Sequence, residues 1–412
     1  MAATTPYKPR LLWNSRTQSL AAVLCATVGV GLTFGFQPPL MAFVLARQGA
    51  SSFAIGAITS ASTIAVILLG PFYPAIMARS SLRYAIIAGT GIAVAILLVM
   101  PLRTSIDTWL VLRFINGCAL GLAWIASEVW LNTLSTDQTR GTVMSLYTTV
   151  FAAGVAAGPL LLQLTGTAGG TPFYVGALCL GLTALPLFLP GHEPSRSERS
   201  PAEKQRLLAT MRIAPLAMFA ALIAGLVESA DVALLPVLGL KRGLDEHASL
   251  HVVMTFLAGN VLLQLPIGRL ADRFGRARIL AACATVSVIG PLLLISPLMR
   301  IPWLLWPLLL LWGGTMYGFY SQGIALLGDS YPTEQLASAN AAFVIVYCAG
   351  GIVGPSLGGM AMDLWTPNGL VVFLSSAPLL LIIPWVSRLP TGPEAPPPRA
   401  RALRRPADSQ RL

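Results

Sequence analysis

Charge is what this 412-residue chain has least of. Only 10% of its residues are charged, where a soluble domain carries roughly a quarter, and 55% are hydrophobic, for a mean hydropathy of +0.73. Water is thereby excluded as the main solvent. Histidine is scarce too: His192, His247 and His251 lack metal-ligand spacing, so no metal site is expected. The five cysteines (Cys25, Cys118, Cys179, Cys283 and Cys348) lie inside apolar runs without a C-x-x-C pair, which argues against a disulfide framework and a zinc site. No G-x-x-x-x-G-K-[ST] phosphate loop occurs, so an ATP-driven pump is not expected and no cofactor is implied. Period-two alternation over about 10 residues, as in a membrane barrel, is also missing.

What is present is apolar sequence in long blocks. Leu20 to Gly35, Tyr84 to Leu102 and Leu370 to Trp385 are apolar all round, as helices facing lipid or other helices must be. A hydrocarbon core of about 30 Å takes about 20 helical residues. Polar punctuation predicts spans near 18–46, 52–78, 83–101, 107–134, 141–164 and 171–190, then 213–240, 248–271, 277–298, 302–329, 336–362 and 368–388. The expected organisation is an arm over 1–17, a six-helix bundle over 18–190, a charged linker over 191–212, a second bundle over 213–389 and a disordered Pro- and Arg-rich tail over 390–412. The first span follows Lys8, Arg10 and Arg16 and lacks a small-residue cleavage site, so it reads as an uncleaved helix.

Basic residues set the orientation. Every lysine and arginine except Arg47, Arg103, Lys241, Arg242, Arg300 and the intra-span Arg113 falls in the termini, the even-numbered connections or the linker. Both termini are therefore expected in the cytoplasm of a cell with a bacterial-type inner membrane. The net charge of +11 follows from topology and attraction to anionic lipid, without a nucleic-acid partner. A monomer in the bilayer is expected.

The chain repeats itself. Gly31-Leu32, Arg47 and Gly49 recur 194 residues later as Gly225-Leu226, Lys241 and Gly243; Gly154, Gly158 and Pro159 recur 196 later as Gly350, Gly354 and Pro355. Small loop changes in a duplicated six-helix unit produce such offsets.

Six plus six spans with a charged linker, together with GRLADRFGRAR at 268–278, resemble the major facilitator superfamily. Gly268, Asp272, Arg273, Gly275 and Arg276 match its G-x-x-x-D-R-x-G-R-[RK] loop, where Gly268 would permit close helix approach and Asp272 would pair with arginines in one of two gate states. The first-half loop keeps Gly70, Arg79 and Arg83 but has Pro74 where the acid would stand. Arg113 and Gly117 are similar to the R-x-x-x-G motif of the fourth span, and Glu128, Trp130, Leu131 and Asn132 resemble the YcaD-like branch. The resemblance implies an all-α fold of 12 spans in two pseudo-symmetric bundles, with spans one, four, seven and ten around a central cavity. Gly154, Gly158 and Pro159 resemble the antiporter motif, incompletely, since Gly358-Gly359 of the second copy has no first-half counterpart.

Ionisable residues inside spans are the candidates for mechanism. Arg113, Gly117, Gly121 and Glu128 share one broad helical face, with Arg113 and Glu128 about 22 Å apart along it. Arg113 reads either as a proton-handling residue, as the resemblance implies, or as a structural arginine reaching for the interface. Glu228 and Asp231, three residues apart in the seventh span, share a face as well. Set against lipid as ions, Glu128, Glu228 and Asp231 would cost about 3 kcal/mol each, a sum comparable to the ~5 to 15 kcal/mol that stabilises a domain. They should face the cavity and exchange protons. The first-span counterparts of the pair are Phe34 and Gln37, so the acids are asymmetric between halves. Phe34, Gln37, Trp124, Tyr317, Tyr320 and Gln322 are the aromatic and amide candidates for binding a small solute. The function read from these residues is secondary active transport of a small organic solute, coupled to protons, with export by antiport set slightly ahead of nutrient uptake. A non-transporting membrane sensor is the alternative of another class. No nucleophile, base and orienting residue converge, so an enzyme is not expected.

Overall fold

A computed structural model describes residues 15–103, 105–135, 139–189, 192–193, 207–295, 301–331 and 333–386. The expected tail and most of the expected arm and linker lie outside these residues; the last three residues of the expected arm, 15–17, are already helical. The fold is all-α. Its long helices are α1 (Ser15–Arg47), α2 (Ser52–Leu69), α3 (Leu82–Val99), α4 (Ile106–Leu134), α5 (Arg140–Thr165), α6 (Thr171–Ala184), α7 (Pro215–Lys241), α8 (Glu246–Phe274), α9 (Arg276–Ile295), α10 (Pro302–Ser330), α11 (Thr333–Leu364) and α12 (Asn368–Val386). Among the described residues ten spans are apolar and long enough to cross a bilayer; α10, with its LLWPLLLLW run, and the apolar stretch Asn368–Ile382 of α12 complete twelve. A short helix over Leu207–Ile213 occupies the end of the expected linker. Charge density hid it: its Thr210 is buried, and the helix packs on α7 and α11.

Each half contains a tight helix crossing that the duplication repeats. In the first half, α1 meets α5 where a Cβ on Gly31 would overlap the carbonyl of Phe151 and one on Gly154 would overlap that of Val28. The second half repeats this between α7 and α11: a Cβ on Gly225 would overlap the Tyr347 carbonyl, and one on Gly350 that of Leu222. Gly158 and Gly354 extend the two crossings by one turn, against Gly35 and Leu226. In a bilayer, where apolar burial gives helices no preference for one another, such backbone-to-backbone approach supplies much of the association energy. Gly117 seats α4 on α2 at Ser62 in the same way. Pro159 and Pro355 continue their helices in buried positions.

The halves meet along α2 with α11, α5 with α8, and α1 with α7. Apart from Ser60 Oγ, which donates to the Ile352 carbonyl at 2.6 Å, their polar ties gather at the end where α1 hands over to α2. Asp363 accepts hydrogen bonds from the backbone N–H of Ser52 and of Phe53, both 2.9 Å, while Ser51 Oγ takes that of Ala54 at 3.1 Å. The orphan donors that begin α2 are thus satisfied largely by a side chain from the other half. Lys241 lies 3.5 Å from Asp363 and 3.0 Å from Ser52 Oγ. Arg47 pairs with Glu246, and both bond Thr167. The two clusters are one design used twice: steps of 194, 194 and 196 carry Arg47, Ser52 and Thr167 onto Lys241, Glu246 and Asp363. Each cluster holds one acid, placed at a different corner. Gly49 and Gly243, at φ 75° and 83°, make the turns that bring the cations round.

Asp363→Ala removes the cap on α2. Losing a cap costs about 1 kcal/mol, so hydrogen–deuterium exchange at Ser52 and Phe53 is expected to rise about fivefold; unchanged exchange would contradict the latch.

Candidate functional site

The ionisable residues of the spans fall into two clusters. The first surrounds Arg113, which is buried on α4. Its guanidinium donates to Gln37 Oε1 and, at 2.8 Å, to Ser62 Oγ, leaving Nε without a partner. Asn116 Nδ2 donates to the same Gln37 oxygen at 2.9 Å, and Gln37 Nε2 faces Met100 Sδ at 3.8 Å. Among the described residues no carboxylate pairs with Arg113. Gly121, one turn beyond Gly117, faces the hydroxyl of Tyr73, which donates to the Cys118 carbonyl at 3.1 Å.

The second cluster surrounds Glu228. Tyr347 on α11 donates its hydroxyl to Glu228 Oε2 at 2.9 Å, and Oε1 has no partner. Asp231 is 0% exposed and neither of its carboxylate oxygens has a partner. A buried ionised carboxylate with no hydrogen bond is among the most expensive groups a protein can hold. Tyr317 lies within electrostatic reach of both acids, and Tyr320 within reach of Glu228 and of Glu128 from the other half.

The duplication passes through this site and changes its chemistry. Phe34, Trp124 and Phe151 form an aromatic triad in the first half: Phe34 meets Trp124 at 6.1 Å and Phe151 at 5.9 Å, and Trp124 stacks on Phe151 at 5.8 Å with planes 9° apart. Steps of 194, 196 and 196 carry these three onto Glu228, Tyr320 and Tyr347. Two of the three contacts recur among the counterparts: the Tyr320 and Tyr347 rings meet edge to face at 5.1 Å, and Tyr347 is bonded to Glu228. One half presents a ring surface and the other a carboxylate held by a phenol. The sequence reading reached Phe34, Trp124, Glu228 and Tyr320 but missed Phe151 and Tyr347. Applying the repeat step to the fifth span would have paired them.

Other candidates are placed differently. Gln322 is buried two residues past Tyr320, about 200° round the helix, and its amide contacts the neighbouring Ser321 at 3.4 Å. Glu128 is half-buried, and among the described residues it forms no ion pair. The loop after α8 departs from the expected pairing. Asp272 and Arg273 are exposed, Arg273 lying over the Phe274 ring, and it is Arg276 that forms the ion pair, at 2.8 Å from Asp329 of α10, with a 2.6 Å bond to the Ala325 carbonyl. Gly275, at φ 95°, ends α8 and turns Arg276 toward α10. Open space surrounds Gly268, so the close approach expected there is absent in this conformation. Among the described residues no group of three metal-ligating side chains forms.

Comparison with known proteins decides the family. The profile of the Major Facilitator Superfamily matches residues 23–252 and 217–410, two overlapping stretches that together span nearly the whole chain. The chain belongs to the major facilitator superfamily. Within it, the relatives are YcaD-like. The uncharacterized MFS-type transporter YfkF of Bacillus subtilis (strain 168) is 25% identical over 379 residues, covering 90% of this chain and 96% of its own. The uncharacterized MFS-type transporter YcaD of Escherichia coli (strain K12 / DH10B) is 24% identical with the same coverage. Among solved structures, the nucleoside transporter NupG superposes with a TM-score of 0.74 at 16% identity, over 92% of this chain and 100% of that one. A bacterial homolog of the human lysosomal transporter Spinster, inward-facing and unoccupied, superposes at 0.69 with 13% identity, over 93% and 95%. At such identities these likenesses speak for the fold. This superfamily member is a multi-pass secondary transporter, and its relatives are transporters rather than enzymes.

Proposed function

We propose that this transporter moves a small organic solute across the cytoplasmic membrane by alternating access, coupled to protons carried by Glu228 and Asp231, with export by antiport as the working direction. The observation that carries the reading is Asp231, fully buried and without a partner for either oxygen, three residues from a Glu228 that is bonded on one oxygen only. Like charges this close disfavour double ionisation, so the pair binds and releases a proton together. The distribution of basic residues supports termini in the cytoplasm, and on that reading the latched end lies outside. Arg113, bonded to Gln37 and Ser62, ties the first-half helices together. Secondary transport needs two such arrangements, and the latch at one end is the element that must break in the other.

The test is a comparison of solute pools in cells with and without the protein, followed by transport of the solutes that differ in vesicles of purified protein. An imposed proton gradient is expected to drive solute against its direction of flow, and transport indifferent to the gradient would overturn the coupling. Solute binding without any flux would favour a sensor.

A further inference from the structure

The first-half loop lacks the acid of its motif, and its Arg83 has a setting of its own at the end of the bundle opposite the latch. From the start of α3 the guanidinium donates to the Leu189 carbonyl at 2.9 Å, and its Cζ lies 5.8 Å from the centre of the Trp130 ring of α4. Arg83 and Trp130 form part of the wall of a cavity of about 510 Å³, between the first turns of α1 and the 3-10 turn Leu185–Phe188 that follows α6. Gln18 and Ser19 give the wall two more polar side chains, and the rest of it is apolar. Glu193 accepts from the backbone N–H of Arg83 at 3.4 Å but does not line the cavity, and the indole N–H of Trp130 is spent on the His192 carbonyl at 3.3 Å. Arg83 is thus the charged group among the lining residues. Leu189 at the rim is exposed, and so are its neighbours Leu182, Leu185 and Phe188, an apolar surface of the kind a bundle turns to lipid.

We propose that this cavity binds the headgroup of an anionic phospholipid from the leaflet on the side of the termini, with the phosphate on Arg83 and the chains along Leu185, Phe188 and Leu189. The volume is that of a site for a small organic molecule. It admits a headgroup and its glycerol and leaves the chains outside, where the exposed apolar side chains begin. An arginine keeps its charge at any physiological pH, and its fork of donors matches the oxygens of a phosphate. Basic pockets between spanning helices at the membrane surface recognise anionic headgroups on these grounds. A choline headgroup would bring its own cation toward Arg83, and a glycerol headgroup would not. A soluble phosphate shares the headgroup's chemistry but has nothing to lay on the leucines, so the lipid is the occupant that uses both parts of the site.

Cys25 lies in the wall and reports on the cavity, while Cys179, half-buried on α6 and outside it, serves as the reference. In purified full-length transporter held in nanodiscs, the rate of N-ethylmaleimide addition at each cysteine is read by peptide mass spectrometry. Exchanging half of the phosphatidylcholine for phosphatidylglycerol is expected to slow Cys25 about fivefold relative to Cys179, the weight of one arginine near an anionic lipid. Arg83→Gln should abolish the slowing. Arg212→Gln, which removes an exposed arginine at the same end but outside the cavity, should keep it. Glycerol 3-phosphate added in water to phosphatidylcholine discs should leave Cys25 unprotected. Arg83 also holds the Leu189 carbonyl, so one measurement is made without any substitution: offered both lipids in equal amounts, the wild type should retain phosphatidylglycerol over phosphatidylcholine by a similar factor in native mass spectrometry. Equal rates at Cys25 in the two kinds of disc, protection that survives Arg83→Gln or vanishes equally with Arg212→Gln, protection by glycerol 3-phosphate, or retention without preference would each overturn the inference.

Discussion

Asp231→Asn, alone or with Glu228→Gln, is expected to lower gradient-driven transport by roughly a hundredfold, the scale on which loss of a proton-transferring group acts, while leaving the protein folded. The amide keeps the shape of the acid and gives up its proton chemistry. Asp231→Leu sharpens the test, because it separates stability from function. Neither carboxylate oxygen of Asp231 has a partner, and the side chain is fully enclosed. Replacing it by a hydrocarbon of similar size removes a desolvation cost of about 1 to 3 kcal/mol. The leucine variant should therefore melt at a higher temperature than the wild type and transport nothing. A purely structural acid would give the opposite result, loss of stability with transport retained by whatever protein survives.

The second large effect concerns the crossing of α7 and α11. A methyl group at Gly225 would overlap the carbonyl of Tyr347, the same residue whose hydroxyl holds Glu228 one turn further along α7. Gly225→Ala must push the helices apart or fail to assemble. Overpacking of a well-packed contact costs about 1 to 3 kcal/mol; here the obstacle is backbone on both sides, so the upper end of that range is expected, read as a fall in melting temperature. Protein that does assemble should have lost the Tyr347–Glu228 bond and with it most of its transport. Gly268→Ala is the control for stability. Open space surrounds Gly268, and alanine favours the helix by about 1 kcal/mol over glycine, so its melting temperature should hold or rise. Equal damage from both substitutions would show that glycine content in general, and not this crossing, is what the fold requires.

How much of this was legible in the sequence depends on how far each feature reaches along the chain. The spans were legible because a bilayer imposes one rule on about twenty consecutive residues, and that rule is written locally. The duplication was legible through glycines, which recur wherever two backbones must touch: Gly31 with Gly225, and Gly154 with Gly350. Glu228 and Asp231 were legible because acids are costly in a membrane whatever surrounds them. Partners were not. That Asp363 caps α2 from some 310 residues away depends on how the halves dock, and nothing near Asp363 in the sequence announces it. The loop after α8 shows the same limit. Its charges were read as partners of one another, yet Arg276 takes its acid from α10 while Asp272 stays exposed. Phe151 and Tyr347 were hidden for a different reason: one aromatic among many in apolar spans carries no signal until the repeat aligns it with its twin.

The asymmetry between those twins is the centre of the account. A duplicated scaffold supplies two sets of equivalent positions, and one copy holds rings where the other holds a carboxylate and two phenols. The measurement that tests this most directly is the pH inside vesicles of purified transporter, followed with a trapped indicator dye while transported solute is added outside with no other gradient imposed. Wild-type protein should shift the internal pH as solute crosses, with the sign giving antiport or symport, and Glu228→Gln and Asp231→Asn should show no shift. Solute crossing at the wild-type rate with no change in internal pH, or an undiminished change in the double variant, would contradict the claim that this pair couples transport to protons.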